Sequence, residues 1–421
     1  MRHGTRVNIS VALWLCAAFS GCDDGATAPA DPSQARSQLA RVTAPLVSAE
    51  DAARLADDDR AFAVDLYQAL RAGAGNLAYA PASVSIALAM LYGGAAGTTA
   101  TETASALHFG LPPERLHPAF DALDLALGAP APSAAGFQLS VANTAWGQKG
   151  YAFLPTYLDL LATSYGAGLQ LADFTDPETA RSQINRWVSD RTQARIPELL
   201  GPNVLDPLTT LVLTNAVYFK ADWAMPFSPK TPTGTFHAPG ADVQAPMMRG
   251  PMVAIWSGPG WTAAALPYVG GTATMIVVVP DAGTFDTFEA GLTAGGLKAI
   301  LDGQGAAPVG GVTLPRFKAA AQLDLVKTLK TLGMQAAFSS GAADLSGIDG
   351  TRHLFVKKVV HQATVAVDEQ GTEAAAATAV VIDRKSAPLV SLAVDRPFLF
   401  LIRHDPTDAI LFQGRVVDPT M

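Results

Sequence analysis

Residues 368–378 read DEQGTEAAAAT, and AVVI follows directly at 379–382. Alanine is the best helix former and a poor strand former, yet both neighbours of this tract are written as strands. Upstream, Val359, His361, Ala363, Val365 and Val367 alternate onto one face, so His361 points into a core. A lone histidine on an apolar face is ordinarily a buried group with its hydrogen bonds satisfied. Beyond Gly371 the same two-residue phase puts Thr372, Ala374, Ala376, Thr378, Val380 and Ile382 on one side, and Glu373 and Asp383 on the other. A helix this short is marginal in water, so the tract reads as a strand built from small residues. Asp383-Arg384-Lys385-Ser386-Ala387-Pro388 then reads as an exposed loop tip open to proteolysis. The acidic segment from Asp368 to Glu373 lacks the alternating oxygen ligands of a calcium loop and reads as a solvated turn.

The chain has 421 residues, 49% of them hydrophobic and 16% charged, which supplies a large core. A net charge of -8 with no basic run excludes a nucleic-acid footprint. Arg2, His3 and Arg6 precede an apolar stretch from Val11 to Phe19, the pattern of an export signal over residues 1–22. Its end, Phe19-Ser20-Gly21-Cys22, is similar to a bacterial lipobox, which would make Cys22 the lipidated N-terminus of a membrane-anchored lipoprotein on the cell envelope. Phe19 stands where leucine is usual, so release by ordinary signal peptidase, giving a secreted extracellular protein, is the alternative. The only other cysteine, Cys16, lies within the signal, so no disulfide is expected. Residues 23–45, rich in Ala, Pro, Asp and Ser, are expected to form a flexible tether, with one domain over residues 46–421. No other stretch reaches the ~18 apolar residues of a membrane span.

Leu55, Phe62, Leu66, Tyr67 and Leu70 recur at helical spacing between Asp51 and Arg71, as do Ile184, Trp187, Val188 and Arg191 before Pro197. Residues 209–219, 272–280 and 353–368 have the β-branched enrichment of strands, and FLFLIRH and ILFQGRVV predict a hairpin around residues 405–408. Helices early and non-alternating strands late predict an α+β chain. The seven histidines show no HExxH, and there is no GxSxG elbow or Walker loop; residues 302–311 do not fit GxGxxG. Neither an enzyme nor a bound metal or other cofactor is expected.

The segment 359–388 resembles the hinge and reactive-centre loop of serpins, the serine protease inhibitor superfamily. The hinge match runs through Glu369, Gln370, Gly371, Thr372, Glu373, Ala374, Ala375, Ala376, Ala377 and Thr378. LAVDRPFLFLI (392–402) is similar to the family's C-terminal signature, and residues 80–99, 184–200, 213–223 and 314–318 resemble further family segments in the family's order. The resemblance implies a single domain of three β-sheets and eight or nine helices with an exposed reactive-centre loop. It implies a suicide inhibitor that is cleaved, trapped as an acyl-enzyme, and inserted into the central sheet. Family spacing from Gly371 places the scissile bond at Lys385-Ser386, with Arg384 as the alternate, which suits a trypsin-like protease. The covalent protease complex is the expected partner of a monomer; a non-inhibitory surface lipoprotein that binds or scaffolds is the alternative. By motif, Ser83, Asn215 and His361 would form the polar cluster beneath the central sheet, with Ala80 departing from the family's serine, and Trp223 would sit near the top of that sheet.

Overall fold

The structure is a computed structural model that describes residues 33–129, 136–372 and 390–421. Its helices are α1 (Ala49–Leu70), α2 (Pro81–Tyr92), α3 (Gly97–Ala106), α4 (Pro113–Gly128), α5 (Pro155–Tyr165), α6 (Pro177–Arg191), α7 (Phe285–Ala290), α8 (Ala294–Asp302), α9 (Val326–Thr331) and α10 (Ser346–Asp349). The strands up to the middle of the chain are β1 (Gln34–Ala35), β2 (Leu77–Tyr79), β3 (Phe137–Gln148), β4 (Leu169–Ala172), β5 (Leu211–Asp222), β6 (Thr233–Ala238), β7 (Ala241–Gly258) and β8 (Trp261–Pro267). The remainder are β9 (Ala273–Pro280), β10 (Val309–Pro315), β11 (Phe317–Asp324), β12 (Val356–Val367), β13 (Gly371–Thr372), β14 (Ser391–Ala393), β15 (Phe398–His404) and β16 (Ala409–Val416).

Local chemistry explains the main helices. In α1 the Ser48 side chain accepts the Asp51 N–H, Glu50 and Asp51 complement the positive end of the helix, and Leu55, Phe62, Leu66 and Tyr67 form the buried stripe. α2 begins with Pro81 at its first position and is buried along almost its whole length, as an apolar helix without a polar face must be. In α6 Asp176 caps the Thr179 N–H.

The central sheet runs β1-β4-β3-β5-β13-β12-β11. Val212, Ala216 and Val360 on one face meet Ile184 and Val188 of α6. On the other face Val217, Phe219 and Val365 meet Val277, Phe398 and Phe400 of the second sheet. That sheet runs β14-β10-β7-β8-β9-β15-β16-β2, with β6 paired to β7. β7 is 18 residues long and carries β6 on its first part and β8 on its last, so two of the three expected sheets share one strand. The described residues hold ten α-helices where eight or nine were implied; α7, α9 and α10 are short ones of 6, 6 and 4 residues.

The expected tether differs in its second half, because residues 33–45 lie on the body. Gln34 and Ala35 pair antiparallel with Gln170 and Leu169 of β4, the Val42 N–H bonds the Thr163 carbonyl, and Arg41 bridges Asp121 and Asp124. A polar composition predicted no core contribution, but backbone pairing to the open edge of β4 needs none. Residues 1–32, including Cys22, lie outside the described residues.

A buried ion pair fastens the C-terminal strand. Arg415 of β16 donates to both oxygens of Glu289 at 3.0 Å and to the Gly75 carbonyl at 3.1 Å, while the Tyr67 hydroxyl donates to Glu289 at 2.7 Å. Removing Arg415 leaves the buried Glu289 carboxylate with only the Tyr67 hydroxyl and Arg71 at 3.6 Å. Arg415→Ala should therefore lose about 3–5 kcal/mol of stability, read as a lowered urea midpoint.

Candidate functional site

Three adjacent strands place their polar residues in one row. Asn143 of β3 lies opposite Asn215 of β5, and Asn215 lies beside His361 of β12. His361 is fully buried, and its Nε2 accepts the Ala80 N–H at 3.1 Å. Nδ1 must then carry the proton, which it donates to Asn215 Oδ1. Asn215 Nδ2 donates to Ser83 Oγ at 2.7 Å and also to Asn143 Oδ1. Ser83 Oγ donates to Asn143 Oδ1 at 2.9 Å, and Asn143 Nδ2 returns a bond to the Ser83 carbonyl at 3.2 Å. The expected trio is thus brought together, and a fourth member, Asn143, completes it. Ala80, which departs from the family's serine, supplies its backbone N–H to the cluster.

The row sits where the sheet is held closed. β5 and β12 run parallel and pair directly from Leu211/Val356 to Tyr218/Thr364. Past that point they part, and β13 occupies the gap. Thr372 pairs antiparallel with Val367 on one side and Ala221 on the other, and Gly371 pairs with Asp222. A Cβ on Gly371 would lie 2.1 Å from the Ala221 carbonyl oxygen. Close approach to β5 therefore demands glycine here, whatever freedom it also gives the chain.

Several contacts seat this short strand. Thr372 is fully buried and its hydroxyl meets the Tyr268 hydroxyl at 2.7 Å. Burial pushes the Tyr268 hydroxyl up, so it stays protonated at neutral pH. Trp223 stacks on Tyr268 at 4.5 Å between ring centres, and its indole N–H donates to the Asp368 carbonyl at 2.9 Å. The Trp223 and Phe227 N–H groups donate to the carbonyls of Gln370 and Glu369. The turn between β12 and β13 is not solvated as expected, because Glu369 is 3% exposed. Burial pushes its carboxyl up, but Arg316, donating at 2.7 and 2.8 Å, together with Thr231, outweighs this and holds it below the usual range.

Glu373, Ala374, Ala375, Ala376, Ala377, Thr378, Arg384, Lys385 and Ser386 lie outside the described residues. Among those described, no group of three His, Cys, Asp or Glu side chains could hold a metal ion, and no helix is long and apolar enough to cross a membrane.

Sequence reasoning missed Asn143, Tyr268, Thr231 and Arg316. A polar residue inside the strand-like run 137–148 was the available signal for Asn143; the others become visible only once β5, β7, β11 and β12 converge.

A split central sheet with a short strand at its fork, backed by a second sheet, is the architecture of one protein class, and comparison with known proteins agrees. The family profile described as "Serpin (serine protease inhibitor)" matches residues 57–419. The chain belongs to the serpin family. It is 38% identical over 375 residues to the leukocyte elastase inhibitor of Equus caballus, covering 85% of this chain and 97% of that protein. It is 37% identical over 366 residues to an uncharacterized serpin-like protein of Thermococcus kodakarensis, covering 85% and 84%. In fold it resembles the thermophilic serpin tengpin in its native state, with a TM-score of 0.80 at 24% identity over 91% of this chain and 97% of that one.

Burial pushes the His361 imidazole from 6.5 down to about 3. The unfolded chain therefore binds the extra proton first, so stability is complete above pH 6.5 and falls as pH drops from there toward 3. This group contributes a slope of up to about 1.4 kcal/mol per pH unit. Urea midpoints across that window should show a steeper decline for the wild type than for His361→Gln.

Proposed function

We propose that this chain is an irreversible suicide-substrate inhibitor of trypsin-like serine proteases, exported and anchored through a lipid on Cys22. The observation that carries the inhibitory reading is the seating of Gly371 and Thr372 between β5 and β12. The loop that begins there already has its first two residues in the slot that the rest of it would fill.

The chemistry needs no group on this chain beyond a peptide bond. The protease serine Oγ attacks the Lys385 carbonyl, the Lys385–Ser386 bond breaks, and the serine proton passes through the protease's own base to the Ser386 amine. Lys385 is left esterified to the protease. Freed at one end, residues 373–385 can extend β13. The 14 steps from Gly371 to Lys385, at about 3.3 Å each, would carry the tethered enzyme roughly 45 Å. Displacement of that size pulls the catalytic serine from its partners before water can release the ester.

Insertion exchanges one parallel ladder, β5 with β12, for two antiparallel ladders, which are more stable per residue. Alanines from 374 to 377 keep the cost of entry low, because bulk pressed between packed strands costs about 1–3 kcal/mol. The equine relative's name concerns inhibition of an elastase, whereas Lys385 and Arg384 suit a protease with an acidic specificity pocket.

Mixing the purified protein with trypsin should give an SDS-resistant complex equal in mass to protease plus the chain cut at Lys385. Clean cleavage without a trapped species would instead support the non-inhibitory reading, a surface protein that binds or scaffolds. Thr372→Arg places a cation where the wild type buries a hydroxyl, and an unpaired buried charge costs several kcal/mol. In that variant the hinge should leave its slot before cleavage, so the cost of burying the cation falls on insertion; it should be cleaved at the wild-type rate but yield at most about a tenth of the complex, since 1.4 kcal/mol against insertion already diverts tenfold.

A further inference from the structure

Lys220 of β5, Ala366 of β12 and Lys318 of β11 line an open cleft of about 500 Å³ at the fork of the central sheet. Their chain neighbours Phe219 and Ala221, Val365 and Val367, and Phe317 and Ala319 all pack toward the second sheet, so these three side chains stand on the opposite face. Lys318 lies directly across from Ala366 in the ladder between β11 and β12. The segment after α6 brings Arg195 over the same face, its guanidinium 5.5 Å from the ring centre of Tyr218. The cleft is cationic. Arg316, also on its wall, is taken by Glu369, and Asp368, the one acidic side chain of the lining, accepts the Gln370 and Gly371 N–H groups. Lys220 and Lys318 form no ion pair among the described residues.

Like charges gathered on one face of a sheet are unfavourable until an acid joins them, and the register of the hinge says where that acid comes from. Gly371 lies opposite Asp222, and Thr372 lies opposite both Ala221 and Val367. Continued by one step, the two antiparallel ladders set residue 373 across from Lys220 on one side and Ala366 on the other. Thr372 turns its hydroxyl inward to Tyr268, so the next side chain takes the outer face, where the lysines stand. In this sequence residue 373 is glutamate, followed by four alanines.

We propose that Lys220, Lys318 and Arg195 form a receiving row for one carboxylate on the entering strand, and that Glu373 supplies it. This rests on the insertion reading above and adds three positioning residues to it. Lys220 would meet Glu373 directly across the new ladder, and Ala366 is small enough to leave Lys318 within reach from the far side of β12. A one-residue slip would turn Glu373 onto the face of Val365 and Phe219, where a charge is costly, so the row also fixes the register. Because the cations stand where zipping must begin, they attract the cut loop before it is seated and speed insertion relative to hydrolysis of the ester.

The test mixes trypsin with the full chain and reads two quantities: chains cleaved per trypsin trapped, and the gain in thermal midpoint of the nicked chain over the intact one. Glu373→Gln should raise the first about threefold or more and reduce the second. Lys220→Glu should do the same by setting like charges opposite one another, whereas Lys220→Arg should match the wild type. The double variant decides the matter. In the Lys220→Glu background, Glu373→Gln removes a repulsion and should recover part of both the trapping and the midpoint gain, a reversal of sign that a merely structural lysine would not give. Glu373→Gln without effect in the wild type, or with the same sign in both backgrounds, would overturn the proposal. A wild type that gains midpoint on nicking yet traps no trypsin would fail the inhibitory reading alone, and the midpoint comparison would still decide the row. No gain on nicking would sink both.

Discussion

The parallel contact between β5 and β12 is the constraint on which the rest of the structure depends. Both strands are packed on both faces, against α6 and against the second sheet, so they are held in place by side chains as well as by their ladder. Yet the ladder itself is of the less stable kind. The row Asn143, Asn215, His361 ties the strands together at mid-length, and parting β5 from β12 must first break the bond between Asn215 and His361. Each polar group so exposed within a dry layer would cost about 1–3 kcal/mol until it found another partner. A closed arrangement can thus persist although a better-paired one is available to the same chain.

The top of the sheet complements that lock. Gly371 and Thr372 hold β5 and β12 apart by one strand's width, and the Trp223–Tyr268 stack and the Arg316–Glu369 pair keep them there. The hinge is therefore neither free in solvent nor deeply seated. Two devices act on one seam: polar bonds that keep it shut in the middle and a wedge that keeps it started at the end. Their physical natures differ, since the middle relies on neutral hydrogen bonds centred on the fully buried Asn215 and His361, and the end includes a charge pair whose arginine is half exposed.

Sequence carried much of this, and for identifiable reasons. The stripe in α1, the strands at β5, β9 and β12, and the β15–β16 hairpin each announce themselves by short-range periodicity, which one segment contains in full. His361 was legible as a buried residue from the alternation of its strand, while Ser83 and Asn215 were named with it by family likeness alone. Asn143 escaped because its run, 137–148, is half-buried over its first five residues and lacks a strong β-branched signature. Glu369 misled because a carboxylate beside a glycine looks like a turn; only its pairing with Arg316, 53 positions upstream, makes it an interior residue. Residues 33–45 misled for a related reason. Backbone edge pairing leaves no compositional trace, so β1 was invisible to any argument from side chains.

The order of strands in the second sheet bears on how such a chain is made. β15 and β16, which come late in the strand order, lie inside that sheet, between β9 and β2, and Gln413 of β16 meets Tyr79 of β2. The interior of that sheet therefore cannot close until β16 has been delivered to β2, and contacts of such long sequence separation form slowly. Commitment of this sheet to its final shape would wait until β16 arrives to bridge β15 and β2.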